Sequence, residues 1–580
     1  MDLKRIVKIS LFATLAVSPL VLVSNVLFPF VSGKVYTFRL LVEISFFLWL
    51  ILLLKNSKYR PDFKNIAVIG TLLILAGFII TGLLGVDPAH SFFGDFERGK
   101  GIIQFAHWVL YFVMIISVFR KERDWKTVFA IFLAIAVITS AYAWYEHQSR
   151  PRLFGLFGNP AYLGGFLVFA IGYIAIMLEK KFFSREMWQK LLFSLLGLFF
   201  FITLIFTQTR GAYAGLGAGF VLLTVLSILF LRKERRKTTI ILSSVLVFAI
   251  LFLGALFINK DSEFVQSHHM LKRTTEVVKF WESDSIRDRL VNWKTSFSAL
   301  KDRPVFGWGM ENFQSAFNKY YDYRVGIYEP WFDRVHNQSL QYLADGGIFL
   351  FSIYLFWLFS VFYLVFKIFK KRKMLGAIIA SVFVGYLVQG LFLFDTFAMY
   401  MSFFSLLVFT YFQYKKDYGS PQEQEEEDKM LSSGKKAALG VFLLFFIFSV
   451  YSAVWLPYKA NHLTWEFFAY STHENYGKAK ETLEEIMEIK SPFVFLSVRK
   501  RISWQLLGVF IKTGKQGNIG EGARNDLRDM YEIITREMEE VIERRPYEPQ
   551  PYYLLGSIYR VGSEQLGEED LGKAEKVLKK

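Results

Sequence analysis

The side chains best suited to chemistry in this 580-residue chain are a few arginines and one histidine. Arg210 lies in Thr207-Gln208-Thr209-Arg210-Gly211, between two apolar runs with no ordinary loop separating them. The chain must reverse there, leaving a guanidinium at a membrane boundary, with Gly211 permitting the tight backbone. Arg287 and Arg289 stand in Ser285-Ile286-Arg287-Asp288-Arg289-Leu290, with Trp293 a helical turn later, and His336 stands in Asp333-Arg334-Val335-His336-Asn337. Arginine's planar fork matches phosphate oxygens, and histidine is the usual general base near neutral pH. Together they point to a phosphate-anchored lipid substrate met by a base. Taken singly, an arginine at a span end can snorkel and a loop histidine is commonly structural; His268 and His269 have that ordinary setting.

Other chemistries lack their motifs. The chain has no HExxH, P-loop, GxSxG or Cys/His ligand spacing, so metal, nucleotide and serine hydrolysis have no carrier. With no Cys there is no disulfide, thiolate metal site or cysteine nucleophile. No metal and no cofactor is expected.

The elements that must position these residues are apolar. Hydrophobic residues make up 53% of the chain and aromatics 18%, including 63 Phe and 29 Tyr, well above a soluble domain's usage. About 20 apolar residues cross a bilayer, and the sequence predicts about thirteen spans, at 8–30, 38–54, 66–85, 102–119, 127–144, 160–178, 191–209, 211–231, 238–258, 347–369, 374–394, 397–414 and 437–456. The first follows Lys4, Arg5 and Lys8, and its run exceeds a signal peptide's apolar core, so it reads as an uncleaved helix. Alternate loops carry the basic clusters: Lys55 to Lys64, Arg120 to Lys126, Lys180 to Lys190, Arg232 to Lys237, Lys370 to Lys373, and Lys415 with Lys416, Lys435 and Lys436. Positive clusters mark the cytoplasmic side, so the net charge of +17 is a topology signal rather than a nucleic-acid footprint. Charge is scarce inside the spans, Glu43 being the main exception. That disfavours a transporter, which needs a charged path through the bundle.

This register divides the chain into a transmembrane body, 1–457, an extracytoplasmic loop within it, 259–346, a charged cytoplasmic linker, 415–436, and an extracytoplasmic tail, 458–580. The acidic run 422–428 reads as a solvated tether. Apolar residues of the tail recur at helical spacing among Glu and Lys, which predicts a soluble helical region. Tyr552, Leu555, Gly556 and Tyr559 match the first helix of a tetratricopeptide repeat with Tyr for Trp, and Ala574 with Val577 suits the second. Tyr476 to Ala479, with Leu483, Ile486 and Pro492, resembles the end of an earlier repeat; a plain amphipathic bundle is the alternative. The chain stops inside a Lys-rich helix without a capping helix, as a repeat array cut short would.

From Gly85 to about Thr396 the sequence resembles the O-antigen ligase and O-antigen polymerase superfamily, which includes bacterial protein O-oligosaccharyltransferases. The resemblance rests on Ser91-Phe92-Phe93-Gly94 with Glu97-Arg98 and Gly101, on Gly158-Asn159-Pro160, on Thr209-Arg210-Gly211, and on Arg289-Leu290 with Trp293. It continues through Arg303-Pro304, Gly307-Trp308-Gly309, Asn312-Phe313, His336-Asn337, Leu340-Gln341 and Gly346-Gly347. It implies an all-α polytopic membrane protein of the GT-C type in the bacterial cytoplasmic membrane, with the N-terminus cytoplasmic, serving lipopolysaccharide and cell-envelope synthesis. It implies metal-independent, inverting transfer of a glycan en bloc from undecaprenyl pyrophosphate to a hydroxyl of lipid A-core, another glycan or a protein. By position, Arg210 and Arg289 would hold the pyrophosphate and His336 would serve the acceptor hydroxyl. Arg287 competes with Arg289, which is preferred because Leu290 and Trp293 stand in the expected relation to it. Arg98 is a further donor contact, with an ion pair to Glu97 or Asp95 as its structural rival. Asp395 reads as a helix N-cap, with an acceptor-site carboxylate as the alternative. Membrane lipid surrounds the body, and the repeat-like tail would bind a protein partner.

Overall fold

A chain surrounded by hydrocarbon must satisfy its backbone groups internally, and a helix does so within one segment. The computed structural model describes residues 2–579 apart from 96–97, 150, 181–185, 269–270, 273–274, 276–283, 323–330, 420–429, 493–494, 517–519, 547 and 568–569. Glu97, His269, Lys181, Arg185 and the acidic run 422–428 lie outside the described residues. Among those described, the regular elements are all helical. Eleven helices are long and apolar enough to cross a membrane. In chain order the body comprises α1 (Leu3–Val17), α2 (Ser32–Lys55), α3 (Ile66–Leu83), α4 (Pro88–Phe93), α5 (Ile102–Val118), α6 (Glu122–Glu146), α7 (Pro160–Lys180), α8 (Met187–Phe206), α9 (Arg210–Leu226) and α10 (Arg236–Ile258). It continues with α11 (Glu263–Ser267), α12 (Asp284–Asp302), α13 (Phe313–Lys319), α14 (Gln338–Lys371), α15 (Lys373–Gly390), α16 (Phe397–Tyr418) and α17 (Ser433–Val450).

The first span differs from its expected extent of 8–30. α1 stops at Val17, a short 3-10 turn covers Ser18–Leu20, and 21–31 is irregular. Pro19 causes the stop, because it lacks an N–H and its ring crowds the preceding turn. The released segment folds over one end of the bundle, where it becomes part of the site.

The basic clusters gather at the opposite end and are tied by ion pairs. Lys415 meets Asp62 at 3.0 Å, Lys416 and Lys180 meet Glu122 at 2.6 and 2.8 Å, Arg235 meets Glu179 at 3.0 Å, and Arg372 meets Asp417 at 2.7 Å. Close helix contact in the bundle relies on small residues. A Cβ on Gly215 would lie 2.5 Å from the Gly385 carbonyl, and one on Gly219 would lie 2.6 Å from that of Ser381, so α9 and α15 touch backbone to backbone along a four-residue repeat.

α14 breaks at Gly347, whose φ of 58° a side chain resists. Into that break the segment 303–309 inserts: Ile348 N donates to Pro304 O at 2.9 Å, Trp308 N to Ala344 O at 3.0 Å, and Gly309 N to Asp345 O at 2.7 Å. The glycines at 307, 346 and 347 allow this approach, since a Cβ on Gly307 would lie 2.5 Å from the nitrogens of Gly346 and Gly347.

The last span continues through a π turn, Tyr451–Trp455, into α18 (Leu456–Thr472). Then follow α19 (Tyr476–Glu488), α20 (Phe495–Gln516), α21 (Glu521–Arg544), α22 (Pro549–Leu566) and α23 (Leu571–Leu578). They share their own core, built on Leu483, Phe510, Met530, Ile534 and Leu554. Leu555, Tyr559 and Ala574 are buried, and Gly556 lets α23 approach so closely that a Cβ there would meet Leu578 at 2.5 Å.

Candidate functional site

At the end away from the basic clusters, residues 27–31 of the irregular segment, the turn 98–101, the start of α7, Met310, Glu311 and Arg334 surround a cavity of about 300 Å³. Its walls are apolar and aromatic at Leu27, Phe28, Phe157, Tyr162 and Tyr400, yet they carry Lys34, Arg98, Lys100 and Arg334. Glu311 is the carboxylate among its described lining residues. Arg334 donates to Glu311, and Arg98 donates to Asp333. The lysines instead meet carbonyls, Lys34 Nζ donating to Val21 O and Lys100 Nζ to Asp395 O, each at 2.7 Å. Four basic side chains therefore meet two carboxylates, Glu311 in the lining and Asp333 behind Arg98. Burial, then the charges of Arg334 and Arg98, push the Lys100 amine well below the usual lysine range. Burial opposes ionisation of Asp333, but the cations of Arg98 and Arg334 hold its carboxyl below the ordinary value. An excess of cations in an apolar pocket favours an anion with an apolar attachment.

Phe394 links this pocket to the histidine. Its ring centroid lies 4.2 Å from Lys100 Nζ, 5.4 Å from the Arg98 guanidinium carbon, 5.6 Å from that of Arg334 and 5.2 Å from the His336 ring. His336 has a φ of 58°, unusual for a residue with a side chain. Its neighbours hold the strain: Val335 N donates to Gln341 Oε1 at 2.9 Å, and Asn337 caps α14 by accepting from Leu340 N at 3.1 Å. The Arg334 carbonyl lies 3.2 Å from Nδ1. A carbonyl only accepts, so it places the proton on Nδ1 and leaves Nε2 to take one. Burial lowers the His336 pKa to about 4, with the charges of Arg289 and Arg98 adding to the shift.

The residues singled out in the sequence separate into two groups. Arg98, Arg289 and His336 share one electrostatic neighbourhood. Arg289 is half-buried on α12 while Arg287, on the same helix, is exposed. Arg210 starts α9, and a Cβ on the adjacent Gly211 would lie 3.0 Å from Phe392. The turn running from Phe392 to Phe394 thus connects the Arg210 helix end to His336. The tight reversal itself falls on Gln208, with φ 51°, rather than on Gly211, whose role is close packing. Arg152 steadies the reversal by donating to Thr207 O at 3.1 Å, a cation at a helix C-terminus.

Three readings change. Arg98 pairs with Asp333, 235 positions away in the chain, and Glu97 is outside the described residues. Asp395 is not the N-cap: Thr396 accepts from Met399 N, while the Asp395 carboxylate accepts from Tyr386 Oη at 2.8 Å. Charge inside the spans is richer than Glu43 alone. Buried Arg39 donates to Gln104 Oε1 at 2.8 Å, Ala453 O at 3.0 Å and Gly99 O at 2.7 Å, and His107 lies 3.0 Å from Glu43. Lys34, Lys100 and Arg334 were missed as site residues. For the lysines a signal existed, since each is the lone Lys of a short segment between two basic clusters.

The tail braces the wall from behind. Asn461 accepts from Leu27 N at 2.9 Å and donates to Ser32 Oγ at 3.1 Å, His462 Nδ1 lies 2.9 Å from Asn25 O, and the Arg501 guanidinium lies 5.2 Å from the Phe28 ring centroid.

Residues 192–355 match the family model described as Wzy_C, O-antigen ligase. That region of the membrane body is similar to the O-antigen ligase family. No curated protein matches the chain. The matched region runs from α8 into α14 and contains Arg210, Arg287, Arg289 and His336. Lys34, Arg98 and Lys100 reach the cavity from outside the matched region. The family carries a coarse function with it, that of a multi-pass membrane glycosyltransferase acting on lipid-linked glycans.

Proposed function

We propose that the chain transfers a glycan en bloc from undecaprenyl pyrophosphate to an acceptor hydroxyl at the outer face of the bacterial cytoplasmic membrane, as an inverting, GT-C-type ligase. The observation that carries this reading is a cation-rich, aromatic-walled cavity joined through Phe394 to His336 in a body similar to this family. The bond between the anomeric carbon and the pyrophosphate oxygen breaks as the acceptor oxygen attacks that carbon. The electron pair leaves with the pyrophosphate, and His336 Nε2 takes the hydroxyl proton. Arg210 and Arg289 hold the pyrophosphate and meet its developing charge, with Arg98, Lys100 and Arg334 as additional donors. Fixed guanidinium groups aimed at a leaving oxyanion supply electrostatic stabilisation of the kind a metal ion would otherwise give.

Lipid A-core is the proposed acceptor; transfer to a second lipid-linked glycan would make the protein a polymerase, and transfer to a polypeptide a protein O-oligosaccharyltransferase. A transporter reading is weaker, because the buried Arg39 fork is spent on backbone carbonyls and Gln104 rather than facing a path. With purified protein and a lipid-pyrophosphate glycan donor, His336→Ala is expected to abolish transfer while donor binding survives, and Arg210→Ala or Arg289→Ala to raise the donor KM. Mass analysis of what the product glycan is attached to assigns the acceptor. Full transfer by His336→Ala removes the base, and no transfer by the intact protein to any of the three acceptors removes the reading.

A further inference from the structure

A second concavity, of about 1060 Å³, lies between the body and the tail, lined by Trp308, Asp302 and Asn318 on one side and by Tyr552 and Tyr553 on the other. Its walls are tied to one another. Arg545 meets Asp87 at 2.8 Å, Ser315 Oγ donates to Glu548 at 3.0 Å, and Gln314 Nε2 donates to Gln550 at 3.2 Å. The cleft is therefore a built feature shared by α13 and α22, not a gap between loosely attached parts. Its surface has two characters. Tyr553 is 51% exposed and lies beside Trp504, itself 43% exposed, with ring centroids 5.8 Å apart, so an aromatic face is open to solvent. In the opposite wall stands Asn318, whose amide nitrogen and oxygen have no hydrogen-bond partner among the described residues. Leaving such groups unsatisfied is unfavourable. A ligand presenting paired donors and acceptors would relieve it, since an Asn amide both donates and accepts.

The cleft is also close to the cation-rich cavity. Trp308 lines the one and Glu311 the other; three residues span at most about 11 Å when extended, and the positive φ of Gly309 and Glu311 shortens that path.

We propose that this cleft is a saccharide subsite, which holds sugar units near the bond being made. Aromatic rings take the apolar C–H faces of the sugar while the Asn318 amide and the Asp302 carboxylate take its hydroxyls. The saccharide belongs either to the donor or to the acceptor, and the inference rests on the glycosyl-transfer reading above. It makes the tail part of substrate recognition rather than an appended module.

The test has two arms. In the first, the purified full-length protein in detergent is applied to a printed array of defined hexose and N-acetylhexosamine oligomers. Wild type and His336→Ala are expected to be retained on the same oligomers, and Tyr553→Ala and Asn318→Ala to weaken retention at least tenfold with unchanged melting temperature. Retention of no oligomer by wild type, or equal retention by the two cleft variants, overturns the proposal. In the second arm, transfer kinetics assign the source of the sugar. A rise in donor KM for Tyr553→Ala supports a donor glycan in the cleft, a rise in acceptor KM supports an acceptor glycan, and no change in either overturns the proposal. Oligomer retention that depends on Tyr553, in a protein that transfers nothing, sinks the transfer reading and leaves the subsite standing.

Discussion

The setting of His336 makes a quantitative demand on the pH profile. Burial and the nearby guanidinium groups lower its pKa to about 4 from the ordinary 6.5. The base must be neutral to accept a proton, so activity is lost as pH falls through the folded-state value. At pH 5.5 an ordinary histidine would be only about 9% neutral, whereas one at about 4 is about 97% neutral, a difference of roughly tenfold in active enzyme. The assay is kcat/KM for glycan transfer from the lipid-pyrophosphate donor between pH 4 and pH 8, because that parameter reports the enzyme before substrate binds. The expected profile is flat from pH 7 to about pH 5 and then falls. An acid limb centred near 6.5 would refute the burial argument, and with it the assignment of His336 as a desolvated base.

Further substitutions probe the parts that hold the site. Arg39→Met removes the guanidinium from Gln104, Ala453 O and Gly99 O and leaves buried acceptors unsatisfied, so a loss of about 1–3 kcal/mol is expected, read as a lowered melting temperature in detergent; Arg39→Lys should fall between wild type and Arg39→Met. Gly347→Ala forces a Cβ to within 2.5 Å of the Val305 carbonyl at a φ of 58°, and strain plus crowding should cost about 2–5 kcal/mol, with unchanged stability refuting the inserted turn. Arg545→Ala releases the tail from Asp87; limited proteolysis should cleave the tail faster while the melting temperature of the body moves little. Arg334→Gln leaves Glu311 without its cation partner and is expected to raise donor KM more than acceptor KM in transfer kinetics.

Much of this architecture could be read from the chain alone, because the signals involved are local. Twenty apolar residues must become a helix in hydrocarbon whatever surrounds them, and the basic clusters at the ends of alternate spans are tied at one end of the bundle by the pairs of Lys415 with Asp62 and Lys416 with Glu122. The reversal at Thr207 to Gly211 was legible for the same reason, since two long apolar runs with five residues between them must turn back. Even so, local reading misplaced the strained residue, because sequence points to Gly211 as the flexible position and cannot show that Phe392 occupies the space a Cβ would need.

The membership of the site depended on contacts distant in sequence. Arg98 meets Asp333, Lys100 meets the Asp395 carbonyl, and Phe394 collects Arg98, Lys100, Arg334 and His336 around one ring. None of these pairings leaves a periodic or compositional trace, since each is decided by how α5, α14 and α16 pack. Types and spacing alone marked Arg210, Arg289 and His336 as chemical candidates, because Arg210 is a lone cation between two apolar runs and the long loop between spans brings arginines and a histidine together. Only the tertiary structure decided that Pro19 sends 21–31 across the cavity, that Asn461 of the tail seats that segment, and that the tail completes a cleft beside the site. Burial, desolvation and long-range hydrogen bonding set these features, and they exist only once the helices are assembled.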